Sequence, residues 1–89
     1  MISECDRLTL IGCAKKYSVS SIVVFGSSLD ESRPARDIDV GVKGLDPRLF
    51  FKFYAELIKC LSKPVDLIDM SNKTLFNDLV EESGVRIYG

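Results

Sequence analysis

Hydrophobic positions along this chain recur first at helical spacing, then in strand-like runs, and then alternate between the two. From Ser3 to about Tyr17, Leu8, Ile11 and Ala14 form a helical stripe, which Leu10, Cys13 and Tyr17 widen. Ser3 with Asp6 three residues on predicts a capping box. Lys15 and Lys16 fall in the last turn, where they suit the helix dipole. Ser20 to Phe25 is β-branched, aromatic and apolar on both faces, which predicts a central strand that Gly26 stops. A polar loop from Ser27 to Arg36 follows. Asp37 to Val42 then alternates, with Ile38, Val40 and Val42 on one face and Asp37, Asp39 and Gly41 on the other.

After a turn at Gly44, Asp46 is an N-cap and Pro47 a first helical residue, for a helix running to about Leu61. Its stripe is Phe50, Phe53, Tyr54, Leu57 and Leu61, extended by Phe51 and Ile58. That is more apolar surface than one face needs, so the helix is either deeply buried or meets a partner. Pro64 opens a third strand, Val65 to Asp69. Ser71 or Asn72 caps a third helix with Leu75, Phe76, Leu79 and Val80 facing inward, and Gly84 ends it. Val85 to Tyr88 predicts a final edge strand. The order α-β-β-α-β-α-β gives an α/β (α+β) domain spanning residues 1–89: a small mixed β-sheet with helices packed on it.

Composition narrows the chemistry. With no histidine, Ser-His and Cys-His catalysis are excluded, and zinc and copper are disfavoured against oxygen-ligated Mg²⁺ or Mn²⁺. Three cysteines without a CxxC unit suit reduced thiols in a cytoplasmic protein. A net charge of −1 argues against direct nucleic-acid binding and leaves self-association into a homo-oligomer open. No apolar run approaches the roughly 20 residues of a membrane span, and Met1-Ile2-Ser3-Glu4 lacks the pattern of a signal peptide.

Two carboxylates placed two apart on a strand lie about 6–7 Å from one another. They repel by roughly 2–3 kcal/mol at an effective dielectric near 20. A divalent cation on Asp37 and Asp39 offsets this directly, sharing itself with substrate phosphates. The Gly26-Ser27 turn offers backbone N–H groups and a hydroxyl to those phosphates, although no Walker A lysine follows it. Asp66, on the next strand, is the third carboxylate. The three together suit a two-metal in-line displacement in which one of them takes the proton of the attacking hydroxyl.

Phe25-Gly26-Ser27, the loop, Asp37-Ile38-Asp39-Val40 and the later Val65-Asp66-Leu67 resemble the nucleotidyltransferase superfamily typified by DNA polymerase beta. The short length, the early helix and the Gly84-Val85-x-Ile87-Tyr88 ending look most like its minimal members. The resemblance implies a nucleotidyltransferase fold, two Mg²⁺ ions (or Mn²⁺), and transfer of AMP (NMP) from ATP or another NTP to a hydroxyl acceptor. It assigns Gly26 and Ser27 to the triphosphate, and Asp37, Asp39 and Asp66 to metal binding and catalysis. Many minimal members work beside a HEPN-domain protein, as antitoxins that adenylylate a tyrosine of the HEPN toxin. This chain departs from the family at Ser28, where an arginine is common, and at Arg36, where a serine is common. Arg33 and Arg36 are candidate phosphate contacts, or else partners of Asp30, Asp37 or Asp39 in a silent site. The alternatives are a non-catalytic module of the same fold that neutralises or scaffolds a HEPN-type partner by contact, and an α/β domain whose aspartates bind a regulatory metal.

Overall fold

A computed structural model describes residues 2–26 and 36–89. The described residues form α1 (Glu4–Lys16), β1 (Ser21–Phe25), β2 (Ile38–Lys43), a 3₁₀ turn (Pro47–Leu49), α2 (Phe50–Cys60), β3 (Val65–Asp69), α3 (Leu75–Ser83) and β4 (Val85–Tyr88). The strands make one mixed sheet in the order β3-β2-β1-β4. β1 pairs antiparallel with β2 and β4, while β2 and β3 are parallel. The parallel pair follows from the α2 crossover between its strands. Among the described residues no helix is long and apolar enough to cross a membrane.

Both faces of the sheet are partly covered. Ile22, Val24, Ile38, Val40, Val42, Val65 and Leu67 pack on Leu10 and Ala14 of α1 and Phe53 and Leu57 of α2. The opposite face carries a smaller cluster of Val23, Met70 and Val80, with Phe25 and Ile68 against it. Gly41 leaves room there for the Met70 side chain, whose sulfur a β-carbon would displace. Glu81 of α3 reaches Lys43 at 3.4 Å and Arg86 at 3.2 Å, tying that helix to β2 and β4.

Packing corrects several expectations. Ser3 caps α1 by accepting from the Asp6 N–H at 3.1 Å, but Asp6 does not close a capping box. Its carboxylate is buried and bonded to Ser62. The buried face of α1 is therefore Asp6, Leu10, Cys13 and Ala14, leaving Leu8 56% exposed. Asp46 accepts from the Arg48 N–H at 2.9 Å as expected of a cap, but what it caps is the 3₁₀ turn ahead of α2. On α2, Phe53 and Leu57 are buried, while Phe51 is 82% exposed and Ile58 is also exposed. Thr74, not Ser71 or Asn72, caps α3 by accepting from the Asn77 N–H. That helix buries Asn77 and Val80 and leaves Leu75, Phe76 and Leu79 exposed, since it meets the sheet along one narrow line.

Candidate active site

The pairing pattern brings three strand ends together. β1 leaves the sheet where β2 and β3 enter it, because β2 runs against β1 and along β3. One row across this end reads Phe25, Asp39, Asp66, each the register partner of the next. Side chains of one row share a face. The row lies opposite Ile38, Val40, Val65 and Leu67, on the side that carries α3. Adjacent strands stand about 4.8 Å apart, so the Asp39 and Asp66 carboxylates are neighbours. Asp39 is half-buried and Asp66 exposed.

Gly26 closes the row on the β1 side. It turns with φ +67°, in the left-handed region. A β-carbon there would fall onto Asp39 Oδ2 and lie 3.2 Å from its Cγ. The backbone that leaves β1 thus passes close to a carboxylate, and any side chain added there would meet a strained φ and push that carboxylate aside.

Asp37 stands apart from this row. The strand begins at Ile38, one residue later than expected, and Asp37 occupies an exposed bend before it. The Ile38 N–H donates to the Pro64 carbonyl at 2.8 Å, which carries the β2–β3 pairing up to the edge of Asp37. Arg36 is exposed beside it. Ser27 and Arg33 lie outside the described residues, as do Ser28 and Asp30. Asp69 accepts from the Ser71 N–H at 2.9 Å and so closes a turn, as a strand-ending aspartate does.

Among the described residues, Asp37, Asp39 and Asp66 offer carboxylate oxygens at this end, the donors that a hard cation such as Mg²⁺ takes. Among the described residues no group of three acidic, histidine or cysteine side chains converges on one point. The pair Asp39–Asp66 is therefore the preformed part. The sequence reading missed Asp6 and Ser62. The signal was available, since Asp6 lies four residues before Leu10 on the same helical stripe.

The sequence pattern described as polymerase beta, nucleotidyltransferase matches residues 9–89. No curated protein matches the sequence. Among solved structures, the chain is similar to a toxin–antitoxin crystallised with AMP-PNP, at 24% identity and TM-score 0.76, over 93% of this chain and 73% of that one. It is similar to the toxin–antitoxin MntA-HepT at 22% identity and TM-score 0.74, over 98% and 73%. A third likeness is to a complex of tri-AMPylated Shewanella oneidensis HEPN toxin with MNT antitoxin, at 24% identity and TM-score 0.71, over 94% and 70%. At these identities the likeness shows a shared fold.

Proposed function

Since the chain belongs to the polymerase beta nucleotidyltransferase family, we propose that it transfers AMP from ATP to a hydroxyl of a partner protein, the acceptor being a tyrosine of a HEPN-domain toxin. The observation that carries this reading is the Asp39–Asp66 register pair with Gly26 against it. The acceptor and the partner are suggested by the toxin–antitoxin complexes of similar fold, one of which holds an AMPylated HEPN toxin.

In this reading Asp66, the more exposed carboxylate, takes the proton of the acceptor hydroxyl. The acceptor oxygen then bonds to the α-phosphorus of ATP as the bond to the β-phosphate oxygen breaks, and pyrophosphate leaves with that electron pair. Asp39 and Asp66, joined by Asp37 from its bend, would hold Mg²⁺. A bound Mg²⁺ supplies charge neutralisation for the triphosphate. Gly26, at a positive φ, would let the backbone approach the triphosphate closely, and Ser27, Arg33 and Arg36 are the further contacts proposed for it. The reaction belongs in the cytoplasm, where ATP is supplied and the three cysteines stay reduced.

The test is transfer of labelled AMP from Mg·ATP to a co-expressed HEPN partner, read by autoradiography and by mass at the modified tyrosine. Asp39→Asn and Asp66→Asn should abolish labelling. If both variants still neutralise the toxin in cells, contact alone suffices and the transferase reading fails.

A further inference from the structure

We propose that Asp6 is a positioning residue for Asp66, a role that rests on the transferase reading of that carboxylate. Asp6 is 4% exposed, and both of its oxygens are committed to a single residue, Ser62. Oδ1 accepts from the Ser62 N–H at 3.0 Å and Oδ2 from the Ser62 hydroxyl at 2.5 Å. Ser62 begins the short segment that leads into β3 and Asp66.

The residues on either side of that segment are held as well. Leu61 is buried in the core and closes α2 with an N–H bond to Leu57 at 2.9 Å. The Pro64 carbonyl accepts from Ile38, the residue between Asp37 and Asp39. The Val65 carbonyl accepts from the Tyr54 hydroxyl at 2.9 Å. α1 reaches this path through Asp6. A buried polar group is costly unless it is hydrogen-bonded, so breaking the contact to Ser62 would leave Asp6 oxygens unsatisfied. The chain of bonds therefore runs from Asp6 through Ser62 and Pro64 to the backbone that carries Asp39, and along β3 to Asp66. Residues bonded directly to metal-holding groups typically matter by about 10–100-fold in metal affinity, and Asp6, which acts one step further back, belongs at the low end of that range.

A plain staple between α1 and α2 would act on stability alone, so the test reads two local quantities. One is the exchange rate of the Ile38 amide, which bonds Pro64, against the amides of the β1–β2 ladder. The other is the Mn²⁺ concentration that half-saturates binding in the presence of AMP-PNP. Asp6→Asn should speed Ile38 exchange about tenfold relative to the ladder and raise the Mn²⁺ midpoint by about tenfold. Thr74→Ala, which removes the α3 cap far from this path, should lower stability and move neither quantity. If Asp6→Asn does not fold, Ser62→Ala takes its place with the same expectations. Both quantities staying within about twofold of wild type in a folded variant would overturn the proposal. If the wild type binds no Mn²⁺, the transferase reading fails and the positioning role falls with it, whereas wild-type Mn²⁺ binding that Asp6→Asn leaves unmoved overturns the positioning role alone.

Discussion

Gly26 and Asp39 meet backbone to side chain, with the left-handed turn of Gly26 lying so close over the Asp39 carboxylate that no β-carbon fits between them. Gly26→Ala forces both a strained φ and a displaced carboxylate. The backbone strain should cost about 1–2 kcal/mol in urea unfolding. Misplacing a reacting group by an ångström can cost about 100-fold in rate. AMP transfer should therefore fall by about that factor while the variant remains folded. A variant that keeps wild-type transfer would show that Asp39 needs no such wall.

Asp39 and Asp66 are like charges side by side on a parallel pair. Such neighbours destabilise a sheet by a few tenths of a kcal/mol to about 1 kcal/mol. Asp66→Asn should accordingly leave the apo protein at least as stable as wild type, while transfer drops below detection. Added Mg²⁺ should narrow the stability difference, because the cation relieves the repulsion in the wild type alone. Thermal melts of both proteins across a Mg²⁺ series check this.

The elements and their order were legible because alternation, turns and caps are local. Asp39, Asp66 and Gly26 are legible in motif spacing, and the parallel register then places Asp39 and Asp66 in one row, which Gly26 closes. What was not legible depended on which face each helix turns to its neighbours. Leu8 reads as well as Leu10 for the core of α1, yet Ser62 draws Asp6 inward and turns Leu8 out. Asp37 was misplaced by a single residue, because the first rung of β2 is fixed by the Pro64 carbonyl, a partner far along the chain.

The same distinction can be measured on α3. Val80 is buried against Val23 and Met70, whereas Leu75 is 77% exposed and Leu79 is also largely exposed. Val80→Ala should cost about 1–3 kcal/mol through the cavity it leaves. Leu75→Ser and Leu79→Ser should each stay within about 0.5 kcal/mol of wild type. Urea midpoints for the isolated protein decide the matter, and a large loss at Leu79 would mean that α3 packs by a different face.

Cys13 gives the fold a slope in alkaline solution. Burial first, and then the neighbouring Glu56 carboxylate, push its thiol up from 9.0 to about 11. Its sulfur lies 3.4 Å from Glu56 Oε2, and Lys16 holds the other carboxylate oxygen at 2.7 Å. The folded state keeps the proton that the unfolded state loses, so between these two values the native protein binds more protons and stability falls as pH rises. The contribution is fully present below about pH 9 and is lost as pH climbs through about 11. Cys13→Ala should flatten that slope in urea melts taken across the alkaline range. Thiol labelling at pH 8 offers an independent check. The exposed Cys5 and Cys60 should react with iodoacetamide well before Cys13, as peptide mass mapping would show.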